Sequence, residues 1–414
     1  MSLIKPFRGL RPATGRADDV VAPPYDVVDR AEAKALVEGR PWSFLHISRP
    51  EIDLADEIDP YDPAVYAKGR ENLDRMIAEG VLRRDDKPCY YAYRLTMGEH
   101  VQTGLVATAS VEAYDAGRVK KHEFTRPVKE DDRVRQIDTL NAQTGPVFLV
   151  YQANSEVDRM LAETASRPAD IDVTAARDGV RHEIWKIDDA VRVAALSGAF
   201  EAMPAIYVAD GHHRSAAGSR VGNDRRAANP GHTGEESYNH FLSVIFPHDQ
   251  MQILDYNRVV RDLNGLSPQA LLGRIGERFD LESSTQPVKP ARSGEFGMYL
   301  GGQWYRLTIH ADRVAENDPV ARLDVSLLQE NLIEPLLGVA DPRRDDRIDF
   351  VGGIRGLQGL QKRVDSGQWA VAFSLFPTTM QALMDVADAG EVMPPKSTWF
   401  EPKLADGLIS HVLD

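Results

Sequence analysis

A single cysteine among 414 residues leaves no partner for a disulfide and no thiolate set for a zinc site. Cys89 lies in the apolar stretch Pro88 to Tyr93, so a buried core thiol is expected there rather than a nucleophile. No apolar run approaches the ~18 residues that a membrane-spanning helix needs, so no membrane partner is expected. The opening Met1-Ser2-Leu3-Ile4-Lys5-Pro6 lacks the apolar block of a secretory signal, and a cytoplasmic location is the expectation. Basic charge is also short: 49 Lys and Arg face 63 Asp and Glu, a net charge of −14. That balance argues against nucleic acid as a partner, because neutralising backbone phosphates takes a basic surface. A local basic pocket within an acidic protein can still hold a small anion. Internal repeats and low-complexity tracts are absent as well.

What is present is an ordinary globular composition, 43% hydrophobic and 27% charged, on a chain long enough for two domains with sizeable cores. Pro23-Pro24 within Val20 to Val28 forbids a helix and forces an extended segment. Helices are expected from Asp29 to Glu38, with Asp29 as cap, and from Asp62 to Glu79, with Pro63 in the first turn and Gly80 beyond the end. Further helices are read from about Glu130 to Gln143, Val157 to Ser166, Asp189 to Phe200, Ser267 to Phe279 and Asp324 to Glu334, the last stopped by Pro335. Strands are expected at Trp42 to Ser48, Val147 to Tyr151 and His182 to Ile187, with a long hairpin at Pro88 to Thr96 and Val101 to Tyr114. Tyr238 to Pro247 reads as a strand paired with the one ending at Asp210. The fold class is therefore α/β, a mixed α+β sheet with hairpins rather than a regular alternation. A change of character near Leu266 places a boundary near 260, giving domains 1–260 and 261–414, the second also α/β.

The most informative segment is Ala205-Ile206-Tyr207-Val208-Ala209-Asp210-Gly211-His212-His213-Arg214-Ser215-Ala216-Ala217. An apolar, β-favouring run enters an acid, a glycine, two histidines and an arginine, then small helix formers. A strand that turns on glycine into a helix presents backbone N–H groups at the positive helix end, a place suited to phosphate. Arg214 and the imidazoles of His212 and His213 would stand beside them, with Asp210 able to hold a metal ion or a proton. An ordinary strand–turn–helix junction capped by Asp210 is the plainer alternative.

Three other places could carry chemistry. His122 and Glu123, with Arg126 and Arg133, form a general base, metal ligand or anion clamp, or else a solvated loop of mixed charge. Arg133, on the following helix, could reach back to that loop. Ile348 to Gly356 is a strand followed by a glycine-rich turn, yet its spacing fits neither the dinucleotide fingerprint nor the lysine phosphate loop, and close helix packing explains it better. Met393 to Lys403 offers Lys396, Ser397, Thr398 and Lys403 as phosphate donors, or an ordered tail with an aromatic anchor. Adjacent His212 and His213 diverge on any regular element, so a histidine metal site would have to draw ligands from His122 and Glu123.

Four segments together, Ala22-Pro23-Pro24-Tyr25-Asp26-Val27, Lys121-His122-Glu123, Ala209 to Arg214 and Pro394-Pro395-Lys396-Ser397-Thr398, resemble the bacterial and archaeal domain-of-unknown-function-1015 family across almost the whole chain. That family name implies kinship and no activity. Asp210-Gly211-His212-His213-Arg214 is also similar to the Gly-x-x-Arg box of the ParB/sulfiredoxin superfamily, which includes free-serine kinases. This second resemblance implies a ParB/sulfiredoxin-like core with an additional C-terminal α/β domain. It further implies ATP or ADP with Mg²⁺ as cofactors, and phosphate contacts from Gly211, His213 and Arg214. Asp210 would then lie at the metal edge. Glu123 is the candidate base toward a hydroxyl, with His212 beside it, and Arg126, Arg133 and Lys396 are further phosphate donors.

These observations lead to a nucleotide-dependent phosphotransferase acting on a small hydroxyl metabolite, free L-serine first. Its partners would be that small molecule and the nucleotide, with no nucleic acid, no membrane and room for a homodimer. The rivals are a metal-dependent hydrolase using His122, Glu123, Asp210 and His212, and a non-catalytic nucleotide-binding sensor.

Overall fold

The computed structural model describes residues 2–414 and confirms a mixed α/β fold built on several sheets. Two compact units form, one from residues up to Met251 together with Pro402–Asp414, the other from Gln252–Glu401.

The first unit is organised by a nine-stranded sheet. Its order runs Val119–Lys120, Ile206–Asp210, Val147–Tyr151, His240–Pro247, His100–Ser110, Tyr90–Met97, Arg181–Ile187, Ile171–Thr174, with Ile4–Lys5 also pairing His100–Ser110. Two pairings are parallel, Val119–Lys120 with Ile206–Asp210 and Val147–Tyr151 with His240–Pro247; the others are antiparallel. The central strands are buried on both faces, which explains why Val147–Tyr151 and His240–Pro247 read as unbroken apolar runs. One core packs Trp185, Tyr90, Leu149, Tyr151 and Ile206 against Val157 and Leu161 of helix Ser155–Thr164 and Leu196 and Phe200 of helix Ala190–Glu201. Helices Pro127–Leu140 and His212–Ala228 meet through Ile137, Ala217, Val221 and Leu413. A further core lies between helix Pro63–Ala78, the turn Leu45–Ser48 and a small four-stranded sheet.

That small sheet has the order Leu82–Arg84, Gly9–Pro12, Ser410–Val412, Ala142–Gln143. The chain's last strand thus pairs with one of its first, and residues 402–414, grouped by sequence with the C-terminal region, pack in the first unit.

Several local expectations hold. Asp29 caps helix Arg30–Val37 in a reciprocal capping box with Glu32, and Asp62 caps Pro63–Ala78. Cys89 is fully buried, and burial pushes its thiol up to about 11. Others do not. Trp42 to Ser48 is not a strand: Leu45–Ser48 forms a helical turn that buries Leu45 and Ile47, and Asn72 donates to the His46 carbonyl at 2.7 Å. The strand His240–Pro247 lies one place from Ile206–Asp210, because Val147–Tyr151 is inserted between them. Val111 to Tyr114, read as the end of a strand, belongs to the helix Val111–Asp115, capped by Ser110.

The second unit has a six-stranded antiparallel sheet of order Phe279–Ser284, Gln303–Ile309, Glu295–Leu300, Val371–Leu375, Tyr256–Val260, Ile348–Gly352. Pro335 does not stop its helix: Asp324–Leu328 continues through a π-helical turn, Gln329–Ile333, into Glu334–Leu337, and the left-handed Gly338 ends it. The glycine-rich turn after Ile348–Gly352 is a packing device. A Cβ on Gly352 would lie 2.7 Å from the Trp399 indole, and one on Gly353 would lie 2.3 Å from Asp255 Oδ1. Among the described residues no helix is long and apolar enough to cross a membrane.

Candidate functional site

The site grows from the parallel pair Val119–Lys120 and Ile206–Asp210, with Val119 opposite Ile206 and Lys120 opposite Tyr207. Two neighbouring strands running the same way release their chains at the same sheet edge, where open α/β sheets place ligands. His122 and Glu123 therefore emerge beside Asp210, Gly211 and His212. A register shift between Val208 and Asp210 against Val147–Tyr151 re-aims the end of the strand.

Gly211 turns the chain at φ +93°, a conformation that favours glycine. Helix His212–Ala228 follows with no side chain capping its first turn, so the leading backbone N–H groups point off the helix end. Asp210 does not cap it; its Oδ1 accepts from the Gly211 N–H at 2.7 Å. Its Oδ2 accepts from Lys403 Nζ at 2.8 Å. Burial raises the Asp210 carboxyl, but Lys403 and Arg214 together outweigh it and hold the group well below the usual carboxylate range.

Arg214, one turn into the helix, has a largely buried side chain. Nη1 donates to the Pro146 carbonyl at 2.7 Å, and Nη2 lies 3.9 Å from Asp26 Oδ2. Burial opposes its charge, yet Asp26, Asp210, Tyr25 and Asp406 keep the guanidinium protonated beyond its ordinary range. Gly145 makes room for it: a Cβ there would sit 3.3 Å from Arg214 Cδ.

The histidines part as adjacent residues must. His213 accepts from the Arg126 backbone N–H at 3.0 Å, and burial, then Arg126, lower its pKa. His212 turns inward instead, and its ring meets His122 edge to face with centroids 4.5 Å apart. Its Nδ1 lies 3.8 Å from Glu123 Oε2. Burial pushes His122 down to about 4 against the opposing pull of the Val208 backbone, and burial with His122 lowers His212 further. Burial thus favours the uncharged form of both rings.

Arg133 does not reach back to the loop of residues 121–126. Its guanidinium donates to Asp132 Oδ2 at 2.7 Å and to the Gln136 side-chain oxygen Oε1, and stacks over Tyr25 at 3.9 Å from the ring centroid. Tyr25, Ser48, Arg133 and Gln136 line two cavities. One, of about 30 Å³, is closed by Arg214 and Asp406; the other, of about 130 Å³, by Tyr61, Tyr66, Lys129 and Asp132. The first holds little more than water, whereas the second approaches the size of an engineered cavity of roughly 150 Å³ that accepts benzene.

Asp406 escaped the sequence reading. It is 2% exposed, Oδ1 has no hydrogen-bond partner, and burial lifts its carboxyl to about 7 despite Arg214. One signal was available. Ala405-Asp406-Gly407 repeats Ala209-Asp210-Gly211 inside an apolar stretch, and Gly407 also turns at positive φ, +88°. Lys396 belongs to the second unit, in a tight left-handed turn at φ +58°, with Nζ 5.6 Å from the Tyr256 ring centroid. Its carbonyl accepts from Arg258, and Ser397 Oγ donates to the Pro394 carbonyl at 2.6 Å.

Solved structures similar to this chain include the following three. A free serine kinase in complex with AMP is 12% identical, covering 75% of this chain and 91% of its own, at a TM-score of 0.36. SbnI from Staphylococcus aureus, truncated at its C-terminus, is 12% identical, covering 72% and 82%, at 0.38. A conserved hypothetical protein from Pyrococcus furiosus is 13% identical, covering 73% and 93%, at 0.34. No curated protein is matched. Residues 4–326 match the family model described as "Protein of unknown function (DUF1015)", and the chain belongs to that family.

Proposed function

We propose that this protein is a nucleotide-dependent phosphotransferase that moves a phosphoryl group from ATP or ADP to the hydroxyl of a small metabolite, with L-serine as the first acceptor to test. One observation carries the reading. The uncapped start of a 17-residue helix, a left-handed glycine and a largely buried arginine converge at a sheet edge. Oriented N–H groups and a fixed guanidinium are what a phosphoryl group in transfer needs, because the reaction asks for positioning and charge neutralisation more than covalent help.

In this reading the Gly211 backbone approaches the phosphates, while Arg214 neutralises them and His213 and the Arg126 side chain border them. The acceptor oxygen attacks the terminal phosphorus, the bond to the nucleotide's bridging oxygen breaks, and Glu123 takes the hydroxyl proton beside neutral His212. Phe124, 77% exposed next to Glu123, offers a ring face on which a base can stack. Magnesium at Asp210 does not fit this arrangement, since the Lys403 ammonium already supplies the counter-charge at Oδ2.

Calorimetry with ATP and ADP, followed by mass detection of phosphorylated product from serine and from a mixed hydroxy-metabolite pool, tests the reading. Micromolar nucleotide binding and a phosphorylated product are expected. Tight binding with no product from any acceptor would select the sensor, and no binding at all would end the proposal.

A further inference from the structure

We infer that His122, Glu123 and His212 form a site for a divalent transition-metal ion of the zinc class, standing independently of the phosphotransferase reading. One donor atom from each residue lies within 4.8 Å of the others. Three features make this more than a chance grouping of polar side chains.

First, the two imidazoles are 2% and 4% exposed, and neither ring nitrogen of His122, nor Nε2 of His212, makes a hydrogen bond of good geometry. Each buried polar atom left unmatched costs about 1–3 kcal/mol, and native structures keep such atoms when something else satisfies them. Second, the two rings are in contact, edge to face at 89° with centroids 4.5 Å apart, and the Glu123 carboxylate stands beside them, 3.8 Å from His212 Nδ1. Third, the scaffold is stiff where it should be. His122 and His212 leave two hydrogen-bonded parallel strands, so the strand register fixes their spacing, and the partly exposed Glu123 is the ligand able to move.

Two histidines and one carboxylate suit zinc and its neighbours and leave a coordination position open. Tetrahedral bonds of about 2.0–2.2 Å put donor atoms roughly 3.3 Å apart. Coordination therefore requires Glu123 and the two rings to draw closer than their present spacing of up to 4.8 Å. The open position would take water or an oxygen of a small ligand, and the ion would lower that oxygen's pKa. Glu123 then serves as a ligand, and activation of a hydroxyl passes from it to the ion.

The full-length protein, stripped with chelator and dialysed, is titrated with Zn²⁺ and separately with Co²⁺, whose visible absorption reports coordination number. One ion per chain is expected, with a four- or five-coordinate cobalt spectrum. His122→Ala and Glu123→Gln should each weaken affinity at least tenfold, their folding checked by circular dichroism. Should His122→Ala unfold the protein, Glu123→Gln decides alone, because its side chain sits largely in solvent. Absence of stoichiometric binding, or affinity and spectrum unchanged in Glu123→Gln, overturns the site. Nucleotide binding is measured on the same samples: metal without nucleotide sinks the kinase and leaves this site standing, and nucleotide without metal does the reverse.

Discussion

Asp406 is the group whose perturbation tests the pocket most directly. Its carboxyl is lifted from an ordinary 3.8 to about 7, first by burial and then by Asp26, against the opposing pull of Arg214 and Arg133. A carboxyl raised on folding contributes its full stability below the unfolded pKa and loses it as pH climbs through the folded value. Roughly three decades of proton affinity at about 1.4 kcal/mol each make the whole effect about 4 kcal/mol. Between about pH 5 and about pH 8 the wild type should lose about 2–3 kcal/mol on this account. Asp406→Asn mimics the protonated acid and removes the titration. The assay is urea denaturation of both proteins at the two pH values. Other titrating groups cancel in the difference, so the variant should gain on the wild type by that amount as pH rises. Infrared difference spectra should show a protonated carboxyl band at pH 5 that vanishes in the variant. A stability difference that stays flat with pH, or favours the wild type more at the higher pH, would refute the reasoning.

Arg214→Ala should do two things: abolish nucleotide binding by calorimetry and cost about 3–5 kcal/mol in unfolding free energy, since Asp26, Asp210 and Asp406 lose their shared cation. Gly211→Ala forces a Cβ into φ +93° and to 3.0 Å from Arg214 Nε, so nucleotide affinity should fall at least tenfold and the strain should cost about 1–2 kcal/mol. Unchanged affinity there would show that the turn does not approach the phosphates. Gly222→Ala, remote from the pocket on the same helix, would place a Cβ 2.6 Å from the Tyr238 carbonyl; thermal melts should show about 1–3 kcal/mol lost, with residual binding intact.

How far the chain could be read from its letters follows from the range of the interactions involved. The strand Ile206–Asp210, the turn at Gly211 and the following helix were legible because an apolar run, a glycine and small helix formers are neighbours in sequence. The caps at Asp29 and Asp62 were legible for the same reason. Trp42 to Ser48 misled, since its β-favouring composition was overruled by packing against helix Pro63–Ala78. Strand order was hidden: nothing local says that Val147–Tyr151 separates Ile206–Asp210 from His240–Pro247. The partners of Arg133 and Arg214 were hidden likewise, because Tyr25, Asp26 and Asp406 lie far off in the chain. His122, Glu123 and His212 could be named from sequence, but their meeting depends on a parallel pairing that no periodicity announces.

The late return of the chain to its first unit has a consequence for biosynthesis. Lys403 and Asp406 answer charges laid down long before them, at Asp210 and near Asp26 and Arg214. At roughly 5–20 residues per second, a ribosome needs roughly 10–40 s to go from Arg214 to Asp406. Throughout that interval the nascent protein carries a half-assembled pocket, and it completes the cavity only once Lys403 and Asp406 have been made. Messages truncated just before the codon for Lys403 should therefore yield polypeptides recognisably unfinished to the cell's proteases.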